Sequence, residues 1–586
     1  MRRFPYVQNV RRTRATIRWS TVEFGSAEIS FGKDRDSQKL VPAVTREFRP
    51  EETGQAASYY RHEALLTGLT QGTDYHYRVL LDGQDLLPYE NLTFRTAGVS
   101  TFQFLAIGDS GTGSGDQSKL ARTLVKEKPK LVLHTGDLAY PKSTYPLLDR
   151  YYFDYYGSMM KQVPFFPCLG NHDYYDTNAV PCLTVHDLPG DDVREGDHGR
   201  YFSFDWANAH FIALDTNTPL ENAARGLGDM LAWLRRDLER TKKFWRIVFF
   251  HHPPYAFGPN QDDPLSILAR EQIVPILEEF RVPVVFNGHE HSYQRSKPIY
   301  RGAVAEAKDG IVYVTTGGGG APLYPVYESP LLDWGRSAYH YLCNDVSGHS
   351  MNLRAIGADG KEFDSAVIAP RPLLSKNAAV NAASYTQEVA CGGLIAIFGM
   401  QLGADDLSVW RSPLPTELGK VSVTWNDRPL PLLMVSGTQV NAQLPFDAAG
   451  SGTLRVTTPN GAAEAELNVH AVAPALFSPA LFHENGDPVS EEAPAGPGEM
   501  VHVYLTGLGR VKGNATEGKA ARSSETFPVE VPVEVLLWDA AICPAFAGLA
   551  AGLAGVYRVS FPVPPSLGGG NHELRVAAAG LRSNPA

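Results

Sequence analysis

Five short segments of this chain carry side chains that bind metal ions or move protons. They are Gly108-Asp109-Ser110-Gly111, Gly136-Asp137-Leu138-Ala139-Tyr140, Gly170-Asn171-His172-Asp173, His251-His252-Pro253-Pro254 and Gly288-His289-Glu290-His291. Each has an ordinary reading when taken singly: Asp-Ser-Gly is turn chemistry, and a lone Asn is a turn or cap residue. Together they offer carboxylate, phenol, amide-oxygen and imidazole donors and no thiolate. That set suits Fe, Zn or Mn better than Cu(I) or a cluster. It is too large for one tetrahedral ion. A carboxylate can bridge two ions about 3.5–4 Å apart, the spacing used for in-line displacement at phosphorus. The chemistry indicated is two-metal hydrolysis of a phosphate ester.

The elements that must position these segments are short apolar runs, and each segment follows one. Strands are expected at Phe102 to Ile107, Leu131 to His134, Phe165 to Leu169, His210 to Leu214, Arg246 to Phe250, Val282 to Phe286 and Gly310 to Thr315. Helical periodicity marks Met230 to Leu238, and also Arg270 to Phe280 despite Pro275. This alternation makes residues 98–372 an α/β domain. In an open α/β sheet the ligand loops lie beyond the carboxyl ends of the strands, so the five segments should gather on one rim. A glycine precedes the key residue in four of them and lets the backbone turn sharply. Alternation along extended chain would put His289 and His291 on one side, with Glu290 turned away. Gly317 to Gly320 reads as a flexible loop. Gly111 to Gly115 reads as the first strand-to-helix loop, with backbone amides facing phosphate; it lacks a Walker lysine.

The flanking regions are all-β. Residues 1–97 alternate apolar and polar side chains, with Trp19 on an early strand and Tyr75 after a Gly-Leu-Thr corner, as in an immunoglobulin-like sandwich with a tyrosine corner. His62 and His76 are expected on strand surfaces. Pro370-Arg371-Pro372 marks a boundary. Beyond it, Ile395 to Gly403 parallels Val501 to Gly509, and Gln439 to Pro445 parallels Arg558 to Pro564. Two related immunoglobulin-like β-units, 376–472 and 473–586, account for this internal repeat.

A chain of 586 residues exceeds one core and should divide into about three or four domains. Its 53 Lys and Arg against 64 Asp and Glu give a net charge of −11, which offers no electrostatic basis for a nucleic-acid partner. No apolar run approaches the ~18 residues of a membrane span. Five cysteines make neither a disulfide scaffold nor a CxxC metal site. Cys168 and Cys182 are either bridged or two buried thiols. The N-terminus enters a domain-like pattern without a signal peptide's apolar core, so the chain is either cytoplasmic or lacks its leader.

The five segments resemble the signature of metallophosphoesterases. Tyr140, three residues after Asp137, makes the resemblance specific to purple acid phosphatases. Many metallophosphoesterases have Asp-x-His in the first segment, where this chain has Asp109-Ser110-Gly111. The first domain, which resembles fibronectin type III, agrees with the family, as does Arg200-Tyr201-Phe202-Ser203-Phe204-Asp205. The resemblance covers about residues 1–370. It implies a four-layer αββα catalytic domain and a binuclear centre. Asp109, Tyr140 and His291 would bind Fe(III); Asn171, His251 and His289 would bind a divalent Fe, Zn or Mn ion; Asp137 would bridge. Tyrosine ionises only near pH ~10 in water, and a strongly charged ferric ion favours its phenolate. The implied activity is hydrolysis of small phosphoric monoesters, of the acid phosphatase type, with a metal-bound hydroxide attacking in line. His172 and His252 are the substrate-facing candidates, and His172 would bind phosphate or protonate the leaving oxygen. Plant relatives carry further histidines on the next loop; Gly258 to Asp263 has none, which leaves leaving-group specificity open. Asp173 and Glu290 would support the ligands or lie on the surface. His134, His186, His198, His210 and His340 are read as structural, with His340 also able to reach the rim from the Gly317–Gly320 loop region. Two other readings compete: a phosphodiesterase acting on nucleotides or glycerophosphodiesters, and a surface- or polysaccharide-binding protein with weak catalysis. The first C-terminal unit, with Asn377 to Tyr385, resembles a module of secreted soil-bacterial proteins. That resemblance implies a secreted or periplasmic protein.

Overall fold

The computed structural model describes residues 1–35, 39–98, 101–175, 177–217, 226–306, 309–538 and 540–586. They form two compact units, Met1–Pro370 and Arg371–Ala586. Among the described residues no helix is long and apolar enough to cross a membrane.

The first unit begins with two antiparallel sheets. One orders Arg3–Gln8, Arg14–Thr21, Tyr59–Thr67 and Val44–Phe48; the other is built around Ala27–Gly32 and Asp74–Leu81. Trp19 is buried between them, and the Tyr75 hydroxyl accepts the Thr70 N–H at 2.8 Å, closing the corner. His62 is not a surface residue. It shares a face with Ala64 and Leu66, lies opposite Trp19, and sits between the Thr21 and Thr45 hydroxyls at 2.8 and 2.9 Å. Burial lowers its pKa to about 4. His76 faces outward, as expected. Arg3, itself buried, ties this domain to the next through Asp149, which Arg2 and Gln55 also bind.

The region after this domain departs from a single open sheet. Its strands divide between two. The first orders Phe165–Pro167, Leu131–His134, Thr101–Ile107, His340–Ser347, Ser350–Gly357 and Glu362–Ile368. The second orders Phe202–Trp206, Ala209–Ala213, Trp245–Phe249, Val284–Asn287, Val312–Thr316, Tyr293–Ser296 and Leu332–Arg336. Apolar strands buried on both faces look alike in sequence, so which sheet each joins was not legible. The inner faces meet through aromatic rings. Phe104 lies 5.4 Å from Phe211 and 5.8 Å from Phe286, and Phe166 stacks on Phe204 at 3.9 Å. The outer face of the first sheet shares a core with Leu120, Leu124, Tyr152 and Tyr156. That of the second shares one with Trp233, Leu234, Ile273 and Leu277. The helix expected from Arg270 begins earlier, at Pro264, and a wide turn at Ala269–Ile273 precedes Pro275. The missing Pro275 N–H breaks the regular ladder there.

The second unit holds two separate apolar cores, one spanning Ala378 to Val469 and one spanning Leu476 to Ala578. The repeated segments play the same part in each: Leu394–Met400 pairs antiparallel with Gln439–Gln443, and Met500–Thr506 with Tyr557–Pro562. All five cysteines are free thiols, Cys543 exposed and the other four buried.

His210 in the first unit is clamped between Asp205 at 2.8 Å and Asp237 at 2.7 Å. Burial alone would lower its pKa, but these two carboxylates raise it to about 9. The unfolded value is near 6.5. The stabilisation is therefore complete below pH 6.5 and is lost as pH rises through 9. It amounts to about 3 kcal/mol at most. His210→Gln should lower the denaturation midpoint clearly at pH 6 and much less at pH 10, as checked by denaturant melts at both pH values.

Candidate metal centre

The five segments meet where strands of both sheets end. Thr101–Ile107 and Leu131–His134 deliver Asp109 and Asp137; Phe165–Pro167 leads to Asn171 and His172. Trp245–Phe249 and Val284–Asn287, from the other sheet, deliver His251, His289 and His291. Asp109, Asp137 and His289 all have left-handed backbones, with φ of 56°, 56° and 69°. Few non-glycine residues adopt this conformation, and where they do the surrounding structure holds them there. The expected extended alternation at 289–291 is therefore wrong. Here the chain turns tightly, with Glu290 N–H donating to Gly288 O and Ser292 N–H to Glu290 O. Gly136, with φ of 95°, turns the chain as expected, while Gly170 and Gly288 serve close approach. A Cβ on Gly170 would stand 2.1 Å from Asp137 Oδ1, and one on Gly288 would stand 2.6 Å from Asp109 Oδ2.

All seven candidate ligands converge, in two groups that share Asp137. In the first, the Tyr140 hydroxyl lies 2.9 Å from Asp137 Oδ2, 3.2 Å from Asp109 Oδ1 and 3.1 Å from His291 Nε2. In the second, Asn171 Oδ1 lies 3.0 Å from His251 Nε2 and 3.2 Å from His289 Nδ1, while His251 Nε2 is 3.5 Å from Asp137 Oδ2. The donor atoms of Asp109, Asp137 and His251 all lie within 4.8 Å of one another, as do those of His251, His252 and His289.

Surrounding hydrogen bonds aim these donors. His251 and His291 each donate Nδ1–H to a backbone carbonyl, of Thr135 and Pro322, at 2.8 Å. That leaves each Nε2 lone pair facing the cluster. Asn171 donates its amide N–H to the Tyr175 hydroxyl at 3.0 Å, which turns its oxygen inward. Asp173 is buried and accepts the N–H groups of Asp137, Leu138 and Gly170 at 2.8–3.0 Å, together with the Ser143 hydroxyl. It thus ties the second segment to the third. Tyr324 stacks on His291 at 4.2 Å.

The electrostatics fit a site for highly charged cations. Burial and the Asp109 and Asp137 carboxylates raise the Tyr140 pKa well above the usual phenol value. Burial would lower the pKa of His251, but Asp137 raises it to about 10. Burial also works against His291, and Asp109 raises its pKa on balance. In each case the group that faces the buried carboxylates holds a proton more tightly than it would in water. A metal ion replaces such protons and satisfies the same negative charge.

His172 stands at the mouth, its side chain 26% exposed. Its Nδ1–H is anchored on Pro141 O at 2.6 Å, and its Nε2 lies 4.0 Å from Asp137 Oδ2. His252 is buried instead, with Nδ1 on the Thr216 hydroxyl at 2.7 Å and its ring 4.6 Å from that of His289. Neither Asp173 nor Glu290 is a surface residue; both are buried. In the glycine-rich loop after Asp109, the Thr112 and Gly113 N–H groups are turned inward and taken by Gln117 Oε1. Gly317 to Gly320 is packed rather than slack. A Cβ on Gly317 or Gly319 would stand 2.2 Å from Glu290 O or 2.1 Å from Gly108 O. Ser143, Tyr175, Thr216 and Tyr324 escaped the sequence reading, because each lies outside a motif and acts through contacts made only in the fold.

Residues 5–97 match the family model of the purple acid phosphatase N-terminal domain, and residues 102–293 match that of calcineurin-like phosphoesterases. The chain is 24% identical over 314 residues to probable inactive purple acid phosphatase 9 of Arabidopsis thaliana, covering 45% of this chain and 48% of that protein. It is 26% identical over 410 residues to acid phosphatase type 7 of Mus musculus, covering 62% and 89%. The chain thus spans about half the length of the first of these. The structure of a purple acid phosphatase from yellow lupin (Lupinus luteus) seeds superposes with a TM-score of 0.53 at 18% identity, over 62% of this chain and 74% of that one, and shares the fold.

Asp173→Ala would leave three buried backbone donors unpaired. Each such loss costs about 1–3 kcal/mol. The variant should melt at a markedly lower temperature and retain less metal, as checked by calorimetry and elemental analysis.

Proposed function

We propose that this chain, purple acid phosphatase-like over residues 5–293, hydrolyses small phosphoric monoesters at a binuclear centre. The observation that carries the reading is the pair of donor groups sharing Asp137. One contains a phenol between two carboxylates; the other contains an amide oxygen and two imidazoles. Asp109, Tyr140 and His291 would hold Fe(III), Asn171, His251 and His289 a divalent Fe, Zn or Mn ion, and Asp137 would serve both. When bound, the ions supply positive charge to the phosphoryl oxygens and lower the pKa of a water nucleophile. The protein's own groups orient and exchange protons. Tyr140 is positioned to offer phenolate, which is matched to a trivalent rather than a divalent ion. His172, half out of the site with Nδ1 anchored, directs Nε2 toward the cluster and protonates the leaving oxygen. His252 forms the floor beneath His289.

In this reading the helices and two sheets of the catalytic region form the four-layer arrangement of metallophosphoesterases, and the first domain is fibronectin type III-like. The C-terminal β-units are immunoglobulin-like and hold the enzyme to a surface or polysaccharide. The protein works outside the cytoplasm. The phosphodiesterase reading uses the same ligands. It draws support from the loop after His252, where Gly258 to Asp263 presents no histidine to a leaving group.

Purified protein should contain iron and show a visible tyrosinate-to-iron band that Tyr140→Phe abolishes; active protein without iron would exclude the Fe(III) assignment. His172→Ala should lower kcat on an aryl phosphate monoester by about 10²-fold or more while metal content stays unchanged. Wild-type protein should turn over the monoester faster than the matching diester. A large preference for the diester would reverse that assignment.

A further inference from the structure

The three histidines that face the cluster are not held alike. His251 and His291 turn Nε2 inward and give Nδ1–H to backbone carbonyls. His289 is reversed: its Nδ1 faces Asn171 Oδ1 at 3.2 Å, and its Nε2 points away. That Nε2 is buried and, among the described residues, makes no well-aligned hydrogen bond. Asp263 Oδ2 lies 3.4 Å from it. The other oxygen of Asp263 is already engaged. It caps the helix Pro264–Leu268 by accepting the N–H groups of Leu265 at 2.7 Å and Ser266 at 3.3 Å.

We propose that Asp263 is a positioning residue that holds the Nε2–H tautomer of His289, so that Nδ1 offers its lone pair to the divalent ion. The inference rests on the reading of His289 as a ligand. A neutral imidazole carries one N–H, and the partner of one nitrogen decides what the other can do. A carboxylate behind a ligating histidine fixes the ring and raises its basicity. Among the described residues no backbone carbonyl holds the outward nitrogen of His289, as one does for His251 and His291. The loop that brings Asp263 here is tied to the same turn. Asn260 N–H donates to Glu290 Oε1 at 2.6 Å, and the Asn260 amide donates to His289 O at 3.3 Å. Gly258 leaves room for Glu290, since a Cβ there would stand 2.3 Å from Oε2. Glu290, turned away from the cluster, thus anchors the loop that sends Asp263 back to its neighbour His289.

The rival explanation is that Asp263 only caps the helix. Asp263→Ser tests it, because serine caps comparably but its side chain is too short to keep the carboxylate at His289. The measurement is Zn²⁺ affinity of the iron-loaded full chain, by competition with a chromophoric chelator, beside the melting temperature of the metal-free chain. Asp263→Ser should bind Zn²⁺ roughly 10–100-fold more weakly, with an unchanged metal-free melting temperature and an unchanged Tyr140 band. A loss below about fivefold, or one that appears only with a matching fall in melting temperature, overturns the proposal. If Asp263→Ser does not fold, Asp263→Asn, which keeps the cap, is judged by the same threshold. His289→Ala separates the two levels of inference. If it loses Zn²⁺ while Asp263→Ser does not, only the role of Asp263 fails; if it keeps wild-type affinity, the ligand reading of His289 fails first.

Discussion

Two buried carboxylates, Asp109 and Asp137, converge on one phenol, and the surrounding structure is arranged to tolerate that concentration of negative charge. Such groups are costly to bury unless cations or hydrogen bonds satisfy them. Here the imidazoles of His251 and His291 stand against them. The backbone contributes too, since His172 N–H donates to Asp137 and His289 N–H to Asp109. On the proposed reading, a pair of metal ions would satisfy both carboxylates and turn the phenol into a ligand.

That arrangement needs rigid support on two sides. The candidate ligands come from strands of two sheets whose inner faces lock together through Phe104, Phe211 and Phe286. Left-handed backbones at Asp109, Asp137 and His289 direct side chains where an ordinary strand end would not. Asp173 holds two of the five segments together, and Glu290 holds a third to the loop of Asp263. These groups never need to touch a substrate to matter, because a donor displaced by a fraction of an ångström no longer fits its ion.

The domains on either side have their own cores, and their contribution to chemistry differs. The first is joined to the catalytic region through buried Arg3 and Asp149 and belongs to the same compact unit. The C-terminal unit is all-β with two separate cores, and the repeated strand pair in each reads as duplication of a scaffold. Among the described residues, the groups of His and carboxylate side chains close enough to hold an ion lie in the first unit.

The sequence by itself determined which residue types were available, their order, and the strand that precedes each of them. Donor chemistry and hydrophobic runs are local properties, so the seven ligand candidates and most strand positions were legible. His62 was misread although alternation with Ala64 and Leu66 carried the signal. The rest depended on long-range pairing. Only the tertiary structure decided which strands join which sheet, that the turn at His289 is left-handed, and that Gly317 to Gly320 is packed tight. It also decided which nitrogen of each histidine points inward, since that depends on carbonyls and carboxylates far away in the chain: Thr135 for His251, Pro322 for His291 and Asp263 for His289. A residue's type is written in the chain, but its tautomer and aim are set by what folds against it.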